Sequence, residues 1–446
     1  MRTTQSKTVI NLNASGGHSA AWTLGLCYLI ALFEGIDLQA AGVAAPRLGP
    51  ALGLGPEQLG WFFASSTFGL ILGALLGGRL SDRVGRKRVL IVSVVVFGLM
   101  SVATALASGL HGLLMSRFLT GFGIGGALPN LVALTSENAP AGRKSAHLGL
   151  LYAGLPSGGA LASLISTFGS AHDWRTIFLV GGLAPLLTVP LLIWLLPESS
   201  QLKALRRSEP LAAGGTGFLF ALFSERRALL TVWLAVGFFL ALLTMYLLLN
   251  WLPTLLVSKG LSRPDASWVQ LSFNVFGALA SVATGALMQR LSFSLVVAVA
   301  FLLSALSLLL LAYAPPALSA SIIAGGLVGA TLSATQTLIY AVASVTYPTA
   351  VRGTGVGTAV CIGRLGSAAG PLLAASLIRS GQAPQQVLAL LAPLIVLSGL
   401  AIFALVRRLG ANDAITALGR PPLRPGGDAI TLRKPGNAAN RSRGEP

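Results

Sequence analysis

Runs of about twenty consecutive apolar residues recur along the whole of this 446-residue chain, and no other feature narrows its fold so far. A hydrocarbon core of about 30 Å takes roughly 20 residues of α-helix to cross. Inside that core each peptide N–H and C=O must find its partner within the protein, and a helix provides this within a single segment. Composition agrees: 10% of residues are charged and mean hydropathy is +0.77, where a soluble chain carries about a quarter charged residues. The chain reads as an all-α membrane protein.

Twelve spans are expected. Six lie near 22–45, 59–78, 89–109, 112–134, 145–168 and 176–196, and six near 228–252, 266–289, 293–313, 317–343, 353–377 and 385–406. The domain reading follows: a cytoplasmic N-terminal tail over 1–21, a six-helix bundle over 22–196, a cytoplasmic central loop over 197–227, a second bundle over 228–406, and a basic tail over 407–446. That tail is rich in Pro, Gly, Arg and Asn and too poor in apolar residues to fold.

The net charge of +18 does not indicate nucleic acid, because the basic residues are scattered between apolar runs rather than gathered in one stripe. Their distribution sets orientation instead. With both termini in the cytoplasm, 24 of the 31 Lys and Arg lie on cytoplasmic segments, five on the opposite side and two, Arg117 and Arg364, within spans. Cys27 and Cys361 sit far apart in apolar runs and suggest neither a disulfide nor a metal site. The first apolar run lacks a small-residue cleavage site and reads as an uncleaved span.

The two halves echo each other. Gly78 and Gly285, Arg143 and Arg352, and Gly158 and Gly370 recur at similar offsets. A six-plus-six chain with a parallel repeat is a transporter pattern, with its binding site between the halves near the midplane.

Span one contains "LIALFEGIDLQAAGVAA", residues 29–45, in which Glu34 and Asp37 share one helix face. An ionised carboxylate at the bilayer centre costs about 2.5–3.5 kcal/mol even on lenient scales. At about 1.5 Å per residue, Asp37 lies about 12 Å and Glu34 about 16 Å from the outer end of span one, Arg117 about 8–9 Å down span four, and Arg364 about 16 Å into span eleven. Two acids and two arginines at comparable depth can offset one another, with help from water and an anionic substrate; a static ion-pair lock is the competing reading. Tyr246 with Asn250, Gln270 with Asn274, and Gln336 with Tyr340 are each four apart, so each pair shares a face that could meet an aromatic ring and its hydroxyl. Interhelical hydrogen bonding accounts for them equally well.

"GRLSDRVGRKRVL", residues 78–90, resembles the loop signature of the major facilitator superfamily, and "RFLTGFGIGGALPN", "DWRTIF" and "LPES" agree with it. "EGID", "NWLPTLL" and "YPTAVRGTGVGTAVCIGRLGSAAGPLLA" resemble the aromatic acid:proton symporters within it, nearest to the 3-(3-hydroxyphenyl)propionate branch, although Glu34 stands where most of that family has Asp. The resemblance implies twelve helices in two pseudo-repeated bundles and uptake of an aromatic carboxylate by proton symport with alternating access. It implies proton coupling through Glu34 and Asp37, with Arg117 and Arg364 contacting substrate or its counter-charge; the spacing reading adds Tyr246, Asn250, Asn274, Gln336 and Tyr340 as candidate substrate contacts. It also implies a conformational latch on the cytoplasmic side from Gly78, Asp82, Arg83, Gly85, Arg86, Glu137 and Arg143, with Glu137 able to pair with Arg143. No cofactor is expected beyond the proton, no metal and no enzyme chemistry. The expected setting is a bacterial inner membrane and the expected unit a monomer. The competing function is a drug:proton antiporter of the same superfamily, disfavoured because "GLPSGG" displaces the proline of its span-five motif and because midspan arginines suit anions.

Overall fold

The computed structural model describes residues 16–140, 143–168, 174–199, 227–347 and 352–409. Residues 1–15 and 410–446 of the expected tails and most of the central loop lie outside the described residues, while 16–21 and 407–409 continue the first and last helices. Twelve helices run through the rest: α1 (Gly16–Ala51), α2 (Pro56–Val84), α3 (Arg86–Leu106), α4 (Leu110–Asn138), α5 (Lys144–Phe168), α6 (Arg175–Leu195), α7 (Arg227–Ser258), α8 (Arg263–Arg290), α9 (Phe293–Tyr313), α10 (Leu318–Thr346), α11 (Arg352–Arg379) and α12 (Pro384–Leu409). All twelve are long and apolar enough to cross a membrane.

The helices overrun the expected spans. α1 has 36 residues, or about 54 Å, so it continues past the apolar core into the interfaces, where polar flanks stop contributing to hydropathy but still propagate the helix. Glycines end several of them. Gly53 (φ 62°), Gly260 (φ 105°) and Gly381 (φ 81°) follow α1, α7 and α11 in the left-handed region, which costs a residue without Cβ little. Gly85, at φ 121°, separates α2 from α3. Ser262 caps α8, its hydroxyl accepting from Asp265 N at 3.2 Å.

Packing repeats across the halves. α2 lies along α4 as α8 lies along α10, α1 along α5 as α7 along α11, and α3 along α6 as α9 along α12. Small residues set the separation, because lipid offers no hydrophobic drive and close backbone approach must supply the attraction. A Cβ at Gly69 would collide with the carbonyl of Phe118 and one at Gly121 with that of Ser66, across α2 and α4. Gly329 meets Phe273 O between α8 and α10 in the same way. Large apolar side chains such as Leu187, Trp194, Val282 and Tyr313 point outward, each more than 70% exposed, as a lipid-facing surface requires. The halves meet through α2 with α11, α5 with α8, and α1 with α7, so these six helices surround the interior.

Candidate functional site

Asp37 and Arg117 form a closed unit inside the first half. Arg117 Nη1 donates to Asp37 Oδ2 at 2.8 Å, and Nη2 to the Asp37 carbonyl at 3.3 Å. Ser101 Oγ donates to Asp37 Oδ1 at 2.7 Å. The guanidinium lies 6.0 Å from the Phe62 ring and 5.6 Å from the Phe178 ring, with the residues 1% and 0% exposed. α1 supplies the acid, α4 the arginine, α3 the hydroxyl, and α2 and α6 the rings. Arg117, expected to contact substrate or its counter-charge, has both terminal nitrogens on Asp37, the counter-charge. The matched depths of the two residues were legible in the sequence, and their direct pairing is the lock considered there.

Glu34, one turn before Asp37, is in the opposite condition. It is 0% exposed, and neither carboxylate oxygen has a hydrogen-bond partner among the described residues. α1 can pass so close to α5 here only because Gly35 faces the Leu155 carbonyl and Gly158 faces that of Leu32. Arg364 of α11, in the other half, is within electrostatic reach of Glu34 but not within ion-pair distance of it. An ionised Glu34 has no donor to offset its desolvation, so its charge depends on that arginine.

Arg364 is half-buried, and among the described residues no carboxylate lies within ion-pair distance. Nη1 donates to the Tyr246 hydroxyl at 2.6 Å, and the guanidinium carbon sits 5.8 Å from that ring. Tyr340, 40% exposed, stands edge-on to Phe238 at 5.1 Å between centroids. Gln336, one turn before it, has a buried Nε2 with no acceptor among the described residues. Tyr152 of α5 completes the group from the first half, within electrostatic reach of both Arg364 and Tyr340. The sequence reading missed Tyr152, because a lone aromatic in an apolar run is indistinguishable from packing. An arginine with donors to spare, holding one phenol and within electrostatic reach of two more, can hold a carboxylate and an aromatic ring together.

Two expected substrate contacts do not face this group. Asn250 spends its Nδ2 on the Tyr246 carbonyl of its own helix at 2.7 Å. Asn274 is engaged with Gln39 across the halves. Short amides on a helix readily satisfy themselves locally or on a neighbour, and shared face alone does not direct them inward.

At the end of the bundle that carries the termini, the expected latch residues converge in part. Arg86 Nη1 pairs with Glu137 Oε1. Ser199 Oγ donates to both Glu137 oxygens, at 3.0 and 2.8 Å. Glu198 Oε1 accepts from Arg86 N at 2.8 Å and Lys87 N at 3.2 Å, placing a carboxylate on the N-terminus of α3. Gly85 is buried with Glu198 packed where its Cβ would stand. Glu137 therefore does not pair with Arg143, which is exposed; Arg86 enters from the next helix and takes its place. Asp82 and Arg83 are exposed and take part in other interactions. Gly78 has open space at its Cβ position. Glu198 and Ser199 were visible in the sequence only as part of "LPES", with no role attached.

The family model described as Major Facilitator Superfamily matches residues 27–292 and 234–430. The chain is 42% identical over 389 residues to the 3-(3-hydroxy-phenyl)propionate transporter of Escherichia coli (strain K12), covering 86% of this chain and 94% of that one. It is 34% identical over 420 residues to the gallate transporter of Pseudomonas putida, covering 88% and 94%. Among solved structures it resembles a D-xylose-proton symporter with a TM-score of 0.68, at 18% identity and covering 86% and 97%.

Proposed function

We propose, since this chain belongs to the Major Facilitator Superfamily, that it is a secondary transporter of aromatic carboxylates, taking them up with protons by alternating access. The relatives named for aromatic acids support the substrate class. They do not favour the drug:proton antiporter reading. The observation that carries the site assignment is Arg364, a midspan guanidinium bonded to Tyr246 with no carboxylate within ion-pair distance among the described residues, at a depth comparable to that of Glu34, which has no hydrogen-bond partner there.

The coupling follows from charge balance. Empty, an ionised Glu34 and Arg364 neutralise one another. A substrate carboxylate seated on the guanidinium fork takes over that role and leaves Glu34 uncompensated in a medium of low polarity. A proton on Glu34 restores neutrality, so acid and proton bind together and leave together. Tyr246, Tyr340 and Tyr152 would face the ring, and the spare Nε2–H of Gln336 a ring hydroxyl. Asp37, held by Arg117, supports the wall of this space rather than exchanging protons. Arg86, Glu137, Glu198 and Ser199 hold the cytoplasmic ends of α3, α4 and α6 together. By the distribution of Lys and Arg, both termini face the cytoplasm, in a bacterial inner membrane, and the chain works as a monomer.

The test is Arg364→Lys, which keeps the charge and loses the fork. Charge-assisted bonds are worth about 1.5–3 kcal/mol, roughly ten- to hundredfold in affinity. Apparent affinity for a hydroxyphenylpropionate should fall by about that factor with expression unchanged. The matching neutral amide should bind wild type poorly and be indifferent to the substitution. Equal losses for acid and amide would remove Arg364 from carboxylate binding.

A further inference from the structure

Gln39 of α1, in the first half, meets Gln270 and Asn274 of α8, in the second, and the coupling scheme uses none of them. Gln39 Oε1 accepts from Gln270 Nε2 at 3.0 Å and Asn274 Nδ2 at 2.8 Å, and Gln39 Nε2 donates to Asn274 Oδ1 at 2.7 Å. The three residues are 5%, 0% and 3% exposed. Gly159 of α5 makes room for them, since a Cβ there would stand on the Gln39 amide nitrogen. Counted along α1, Gln39 lies about 7 Å beyond Glu34 and about 18 Å short of Ala51. The cluster therefore roofs the Glu34–Arg364 level on the side away from the termini.

We propose that these three amides form the latch that holds this far end of the transporter shut, the joint that must part before substrate can enter there. The inference rests on the transport reading, and it goes beyond it by assigning the gate. Two other polar joints link the halves toward that end. Glu57 and Arg379 pair at 2.8 Å but are 59% and 65% exposed, where water and salt leave little net attraction. Ser267 Oγ donates to Ser166 Oγ at 3.2 Å, a single long bond. The amide cluster differs in being dry and threefold. Moving α8 away from α1 breaks all three bonds together and strands their polar groups until water follows. Gln270 Oε1, buried with no donor among the described residues, keeps the closure short of fully satisfied, as a joint that opens on every cycle requires.

Ser267→Cys, in a chain with Cys27 and Cys361 replaced, puts a thiol on the α8 face against Ser166, 3% exposed while the end is shut. An impermeant maleimide outside intact cells then reports opening without any substrate. Interhelical hydrogen bonds in bilayers are each worth a factor of about three. Gln39→Leu, which removes all three bonds, should therefore raise the labelling rate about tenfold or more. Gly159→Ala should also raise it, while Arg379→Gln should leave it within about twofold. External substrate should bind more tightly to Gln39→Leu, because the competent fraction has grown; a merely unstable variant would lose protein without gaining affinity. If Gln39→Leu does not reach the membrane, Asn274→Leu cuts two of the bonds from the other helix and decides the matter. Labelling at the parent rate in the folded variants would overturn the latch, as would an equal rise in Arg379→Gln. Failure to transport any aromatic acid, with labelling raised, would instead refute the substrate reading and leave the latch standing.

Discussion

Two carboxylates one turn apart on α1 ended in opposite environments, and their substitutions should separate accordingly. Asp37 accepts from Arg117 and Ser101, so Asp37→Asn leaves a buried guanidinium without its counter-ion. Breaking a buried pair in this way costs about 3–5 kcal/mol. The purified variant should lose folded protein at temperatures the parent survives, measured by size-exclusion after heating. Glu34→Gln removes a carboxylate that has no hydrogen-bond partner among the described residues but whose charge balances the half-buried Arg364, so it should cost less stability than Asp37→Asn. It should lose proton-driven accumulation yet still exchange labelled for unlabelled acid, since a permanently neutral side chain lets substrate cross without a proton. Normal accumulation by Glu34→Gln, or full stability in Asp37→Asn, would reverse the roles assigned to the two acids.

Helix packing makes a similar distinction among glycines. Gly121 faces the Ser66 carbonyl across α2 and α4, whereas Gly78, in the loop motif, has open space at its Cβ position. Overpacking a close helix crossing costs about 1–3 kcal/mol. Gly121→Ala should lower the melting temperature of detergent-solubilised protein by several degrees, and Gly78→Ala should leave it unchanged. Equal shifts would mean that backbone approach does not set the spacing of these helices. At the far end, Lys259 Nζ donates to the carbonyls of Leu311, Ala312 and Ala314 at 2.9–3.1 Å. It thereby closes the C-terminus of α9 from the end of α7. Burial pushes this lysine below the ordinary amine range, and the three oxygens compensate for the desolvation.

The whole molecule carries a topological prediction. Charge counted over short loops places both termini in the cytoplasm. Reporters fused at residues 1 and 446 should both read cytoplasmic, and one inserted at Lys259 external. An external C-terminus would require an odd number of crossings and would contradict the twelve helices. α1 packs on α5 as α7 packs on α11, so each half is held together internally while the halves meet through α2 with α11, α5 with α8, and α1 with α7.

The sequence by itself determined the helical class, the number of helices and their pairing into two related halves. Hydropathy is local, the bilayer fixes the length of each apolar run, and a parallel repeat leaves its small residues at matching positions. It also put Asp37, Arg117, Glu34 and Arg364 at comparable depths, because rise along a helix is constant. What it could not decide was rotation about the helix axes and the partner each polar group finds. Those depend on close crossings set by neighbouring helices hundreds of residues away. Only the tertiary structure therefore separated the sealed Asp37–Arg117 pair from the open Arg364. It likewise gave Glu137 to Arg86 instead of Arg143, put Tyr152 of α5 within electrostatic reach of Arg364, and set the expected contact Asn274 against Gln39.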